Sequence, residues 1–399
     1  MIPVDEALAR ILAQFQPLAG ELVGVGEAVG RVLAADVVAR VTQPPAAVSA
    51  MDGWAVRGSD LGTLPVTLAR IGEAPAGRPF AGTVAPGQTV RLFTGSVIPD
   101  GADTVVLQED CDNLGGGVRV REGTPGRWVR AAGLDFTAGT VGLKAGRLLT
   151  VRDVALAAAM NHPFLTVHRR PRVAILATGD EVVMPGEPLG PGQIVSSNGL
   201  ALAALVRRHG GTPVNLGIAP DDADTLATLA RGAAGCDLLV TTGGASVGEY
   251  DLVRTMLGGQ GVDLDFWKIA MRPGKPLMFG RLGGTPLLGL PGNPVSSLVC
   301  ATLFLVPALR RMQGLAPAEL PRARAVLADA LPANDRRQDY LRATLTAGDG
   351  ALPAVATFTQ QDSSMLSRLA AADCLIIRPP HAPAAEAGTV VDIVPLDGI

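Results

Sequence analysis

Three apolar runs between residues 172 and 313 each end in a glycine-bearing turn, and that arrangement leaves few folds open. Residues 173–177 run into Thr178-Gly179-Asp180-Glu181, 237–240 into Thr241-Thr242-Gly243-Gly244, and 286–290 into Pro291-Gly292-Asn293-Pro294. Helical patterns occupy 197–209, 223–234, 249–257 and 295–312. Short strands alternating with helices predict an α/β domain with a largely parallel sheet. The carboxyl ends of such strands share one edge, so the three turns converge on one crevice. Backbone N–H groups freed at the turns and helix starts suit an anion there.

The rest of the chain reads as smaller domains around this one, as a length of 399 residues requires. Residues 3–16 are predicted to be a helix, with Pro3 in the first turn and Leu8, Ile11, Leu12 and Phe15 on one face. A second helix is expected at 150–160, opened by Thr150 and Asp153 as a capping box. Together these predict a discontinuous helical linker domain of 1–39 plus 136–167. Residues 40–135 break into short apolar runs punctuated by Gly and Pro, which predicts a β-rich insertion. The α/β domain then spans 168–318. A C-terminal β-barrel-like domain at 319–399 has strands at 323–327, 340–346, 354–358, 374–377 and 390–394, a turn at Asp349-Gly350 and a short helix at 363–371.

Several function classes are excluded. A formal charge of −3 offers no field for nucleic acid or an acidic membrane. The longest apolar stretch, 298–309, falls short of the ~20 residues a membrane span needs. The N-terminus has neither a basic region nor a small-residue cleavage site, so a cytoplasmic protein is expected. Cys111, Cys236, Cys300 and Cys374 are scattered, as are the four histidines, which predicts neither disulfides nor a cysteine–histidine metal cluster. The run from Gly24 to Gly30 has the spacing GxGxxxG and no βαβ surroundings, so it is not a dinucleotide fingerprint.

The crevice gathers acids and cations. Asp180, Glu181, Asp221, Asp222, Glu249 and Asp251 fall at or near strand ends. Each alone reads more readily as a helix cap than as a ligand, but grouped beside phosphate-binding turns they offer the oxygen ligands that Mg²⁺ takes. Of 34 basic residues only Lys144, Lys268 and Lys275 are lysines. On an extended strand Lys268 and Arg272 point to the same side, with Lys275 after the turn, and such cations suit a tetrahedral oxyanion. The segment Ser49-Ala50-Met51-Asp52-Gly53-Trp54 reads on its own as a turn with a capping Asp.

The motifs TGDE at 178–181, SSN at 196–198, TTGGASVGEYD at 241–251, FWKIAMRPGKP at 266–276 and GLPGNPVSS at 289–297 resemble those of the molybdopterin molybdenumtransferases. This is the bacterial family related to the gephyrin E domain. SAMDGWAVR at 49–57 and RLFTGSVIPDGADTVV at 91–106 extend the resemblance over essentially the whole chain. The resemblance implies a four-domain homodimer whose active site is shared between subunits. It also implies Mg²⁺-dependent insertion of molybdenum from molybdate into adenylylated molybdopterin, with release of AMP. Asp52, Asp135, Glu181, Asp251, Lys268 and Lys275 are the implied catalytic residues, with Glu181 and Asp251 on the metal. Substrate contacts are implied for Thr94, Thr178, Gly179, Asp180, Ser197, Asn198, Asp221, Thr242, Gly243, Gly244 and Ser246. The same holds for Arg272, Pro273, Pro291, Gly292, Asn293, Arg342 and Ser363. Trp54 and Arg272 stand where some relatives have Tyr and Lys. The implied partners are the molybdopterin adenylyltransferase and molybdoenzyme chaperones. A molybdopterin adenylyltransferase and a non-catalytic molybdopterin-binding scaffold are the alternatives.

Overall fold

The computed structural model describes residues 1–243, 262–348 and 350–396. They form two compact units, one of Met1–Glu21, Gly30–Ala34 and Thr166–Ile399, the other of Leu22–Val29 and Ala35–Leu165.

The first unit is built on a six-stranded sheet. Its N-terminal half comprises β1 (Arg172–Thr178), α2 (Asn198–Arg208), β2 (Thr212–Ala219), α3 (Ala223–Ala230) and β3 (Leu238–Thr242), after an N-terminal helix α1 (Val4–Ala13). The second half adds β4 (Val262–Trp267), the two-residue β5 (Met271–Arg272), β6 (Met278–Leu282) and β7 (Thr285–Leu290). The strand order is β2-β1-β3-β7-β6-β4. The first four strands are parallel, while β6 runs antiparallel to both β7 and β4. The antiparallel edge follows from Gly283-Gly284, a two-residue turn joining paired Leu282 and Thr285.

Successive residues of β1 face opposite layers, as the pleat demands. Val173 and Ile175 enter a core with Leu202 of α2 and Phe304, whereas Ala174 and Leu176 meet Leu226 and Ala230 of α3. Val4, Ala7, Ile11 and Phe15 also join the first of these cores. The N-terminal helix expected in a linker domain is therefore part of the α/β unit. Its apolar face, spaced three and four apart, packs where the linker reading had no use for it.

The long helix α4 (Pro294–Met312) is 78% buried over its apolar window, so its hydrophobicity is core packing. Its middle turn, Ala301–Leu305, is π-helical. Pro307, lying just beyond, has no N–H and its ring would crowd the carbonyl four residues earlier; a widened turn relieves both.

The C-terminal strands are β8 (Ala323–Leu327), β9 (Gln338–Thr346), β10 (Ala354–Thr357), β11 (Cys374–Arg378) and β12 (Val390–Pro395), with α5 (Leu366–Ala370) between β10 and β11. They close into a five-stranded barrel in the order β9-β10-β8-β12-β11, β11 returning to β9. The extended strand expected to carry both Lys268 and Arg272 is in fact two: β4 belongs to the α/β sheet, while β5 pairs in parallel with Gln338 and Asp339 of the barrel.

The second unit holds a six-stranded sheet in the order Thr104–Leu107, Gly53–Val56, Gln88–Leu92, Val66–Ala74, Gly117–Val120, Cys111–Asn113. Its helix Val151–Ala159 begins with the expected capping box between Thr150 and Asp153.

Candidate active site

A crevice of about 1000 Å³ opens at the carboxyl ends of β1, β3 and β7, where the three glycine turns meet. Asn198 ties the turns together, its Nδ2 donating to Thr242 Oγ1 at 2.9 Å and to the Gly292 carbonyl at 2.7 Å. Two glycines are required by close approach. A Cβ on Gly243 (φ +96°) would lie 2.4 Å from the Thr178 carbonyl oxygen, and one on Gly179 (φ +134°) would lie 2.5 Å from Glu181 Oε2. The Glu181 carboxylate therefore folds back over a bare backbone and lines the crevice. Thr178, Ser197, Pro291 and Gly292 also line it. Asn293, the residue before α4, lines it too and donates from Nδ2 to Ser363 Oγ at 2.9 Å.

The acids separate into two kinds. Asp222 caps α3, accepting from the Thr225 N–H at 2.8 Å, and that hydrogen bonding holds its carboxyl below the usual range. Asp221, whose N–H donates to Asp180 Oδ1 at 2.9 Å, is pushed upward by burial and then by the charges of Asp180 and Glu181. This like-charge cluster is one a cation would relieve. Among the described residues no three His, Cys, Asp or Glu side chains converge as a metal-binding group. One or two carboxylates with substrate phosphates are what Mg²⁺ commonly takes, so Glu181 and its acidic neighbours fit it. Gly244, Ser246, Glu249 and Asp251 lie outside the described residues.

The three cations do not share one strand face. Lys268 adopts φ +68° just after β4, with Nζ 3.5 Å from the Trp267 ring centroid, and it is not among the crevice-lining residues. The left-handed residue ends the strand, so the alternation that put Lys268 beside Arg272 does not continue. Arg272 lines the crevice, but its guanidinium is held by Asp339 at 3.0 and 2.9 Å and by Asp335 at 3.2 Å. Lys275 lines the crevice beyond Pro273 and Gly274.

Arg342 is 1% exposed and donates to the Asp362 and Met365 carbonyls at 2.9 and 3.3 Å, so it holds the loop bearing Ser363. Sequence reasoning missed Arg337, Gln361 and Asp362, which also line the crevice. No local pattern marks them, because the closure of the barrel brings them there.

In the second unit Asp52 Oδ1 accepts from the Thr94 N–H at 2.7 Å and its hydroxyl at 2.8 Å, which lowers the Asp52 pKa. Asp52 thus binds two segments of the β-rich unit as well as occupying a turn. Nearby, Arg91 lies 5.3 Å from the Trp54 ring centroid and 5.2 Å from that of Phe93. Asp135 is exposed.

Three regions of the chain match described families: residues 2–161 the MoeA N-terminal region (domain I and II), 174–311 a probable molybdopterin binding domain, and 324–396 the MoeA C-terminal region (domain IV). A molybdopterin molybdenumtransferase of Nostoc sp. is 38% identical over 90% of this chain and 85% of its own. Molybdopterin molybdenumtransferase 2 of Mycobacterium tuberculosis is 38% identical over 98% and 97%. The chain belongs to the molybdopterin molybdenumtransferase family. A solved structure of molybdopterin biosynthesis moeA protein from Pyrococcus horikoshii matches it with a TM-score of 0.83 at 30% identity, covering 99% of this chain and 100% of that one. A second solved moeA structure reaches 0.88 at 29% identity over 100% of both. Within this molybdopterin molybdenumtransferase fold, the match at 174–311 spans all the glycine turns of the crevice.

Proposed function

We propose that this protein inserts molybdenum from molybdate into adenylylated molybdopterin, releasing AMP with the help of Mg²⁺. The observation that carries the reading is a crevice lined by both Glu181 and Lys275 and large enough for a nucleotide-bearing pterin. Lys275 is the point charge for molybdate, in the crevice that Ser363 also lines, its hydroxyl oriented by Asn293. Arg272, already neutralised by two aspartates, fixes the loop on which Lys275 rides.

Glu181, with Asp251, would hold Mg²⁺, and Asp180 and Asp221 add the negative potential that draws it in. When bound, Mg²⁺ neutralises phosphate oxygens and makes the phosphoanhydride easier to break. The glycine turns bring backbone N–H groups close to the ligand. A second copy of the chain is proposed to supply Asp52, Thr94 and Asp135, giving a homodimer with a shared site.

AMP release from adenylylated molybdopterin with Mg²⁺, measured with and without molybdate, tests the reading. Release that depends on molybdate is expected. Tight binding without turnover in either condition would replace it with a binding scaffold.

A further inference from the structure

Two buried polar atoms of crevice-lining residues have no hydrogen-bond partner among the described residues: Thr178 Oγ1 and Asn198 Oδ1. Thr178 is 3% exposed and closes β1. The backbone of Gly243 passes so near that a Cβ there would lie 2.8 Å from its hydroxyl. Asn198 belongs to the same corner, and its amide is not free to flip. Nδ2 donates to the Thr242 hydroxyl and to the Gly292 carbonyl, which accepts only, so Oδ1 is the atom left over. A third such atom, Thr241 Oγ1, does not line the crevice. Buried polar groups almost always find partners, because an unpaired one forfeits its hydration.

We infer that Thr178 and Asn198 are a specificity-determining pair that reads an uncharged, hydrogen-bond-donating edge of the ligand; this rests on the crevice being the adenylylated molybdopterin site. An amide oxygen only accepts. Phosphate or molybdate set against it would oppose lone pair to lone pair, whereas an N–H or O–H group satisfies it. The Thr178 hydroxyl both donates and accepts, so it completes a two-point contact with a donor–acceptor edge. The ligand is thereby given a direction, its donor-bearing edge on the floor at Thr178 and Asn198 and its anionic end toward Lys275. This differs from a floor built only to cradle phosphate. Two parts of the substrate carry such donors, the pterin ring and the nucleoside.

Thr178→Val is the decisive substitution, because it keeps the shape and deletes a hydroxyl that has no partner among the described residues. A hydroxyl that merely supported the fold would lower the melting temperature when lost; one waiting for ligand would not. The affinities of the full-length chain for molybdopterin, AMP and molybdate are measured separately by calorimetry, together with the melting temperature. Thr178→Val is expected to bind molybdopterin or AMP about tenfold more weakly. Its molybdate affinity stays unchanged and its melting temperature is no lower, while Thr178→Ser retains wild-type affinity. The weakened probe identifies the pterin or the nucleoside as the group on the floor. Unchanged affinity for both organic probes, a loss confined to molybdate, or a lowered melting temperature would overturn the inference. A wild-type chain that bound neither molybdopterin nor AMP would bring down the functional reading beneath it.

Discussion

Gly179 and Glu181 are joined by one steric condition. The carboxylate occupies the space that a side chain at 179 would fill, and the φ of +134° there is open only to glycine. Gly179→Ala is therefore expected to destabilise the fold by about 1–3 kcal/mol through backbone strain. It should also displace Glu181, lowering AMP release at least about tenfold, since small misplacements of a reacting group are costly. Denaturant unfolding and steady-state turnover check the two effects. A variant with wild-type turnover would show that the carboxylate can act from elsewhere. Glycine at 179 was visible in the sequence as a turn former, but the reason it must be glycine was not. That reason is a contact with a residue two places on, which only three-dimensional placement reveals.

At the scale of elements, the crevice wall depends on a seam between β5 and β9. Met271 and Arg272 pair with Gln338 and Asp339, and the Arg272 guanidinium grips Asp339, which is 8% exposed. Burial pushes the Asp339 carboxyl upward even with Arg272 beside it. Arg272→Lys keeps the charge but loses the fork, and is expected to destabilise by about 1–3 kcal/mol because a buried acceptor is left short of partners. Removing both members, as Arg272→Met with Asp339→Leu, should recover most of that loss. A double-mutant cycle from urea unfolding measures both. Asp335, held down to about 2 by hydrogen bonds from Arg337 and then by the Arg272 charge, gives the seam its pH dependence. Its folded pKa lies below the ordinary 3.8, so its contribution is present above that value and fades as pH falls toward 2.

The parallel strands, the barrel strands and the helices among the described residues were legible because each writes its own periodicity; the helix expected at 249–257 lies outside the described residues. The seam was not, because a two-residue strand carries no pattern and its partner lies in another domain. The same cause hid the loop contacts of Arg342, which come from its neighbours on the barrel, and the left-handed backbone of Lys268, which ends a strand that looked continuous.

At the scale of the whole molecule, the residues proposed for catalysis are divided between the two compact units, with Asp52 and Thr94 in one and Glu181 and Lys275 in the other. If a second copy of the chain completes each crevice, two chains inactive for different reasons can repair one another. Asp52→Ala removes the acid that the insertion lends, and Lys275→Ala removes the cation that the crevice keeps. Mixed after subunit exchange, equal amounts of the two give about half heterodimers, each with one crevice carrying both defects and one carrying neither. Activity should then recover to about a quarter of wild type, while each parent alone stays inactive. A mixture that remains as inactive as its parents, under conditions where mass spectrometry shows heterodimers to be present, would mean that each chain builds its site alone. Neither Asp52 nor Lys275 lies in the hydrophobic core of its unit, so each substitution removes a functional group and leaves the core packing intact. Recovery would therefore measure the geometry of the site itself, one unit of each chain serving the crevice of the other.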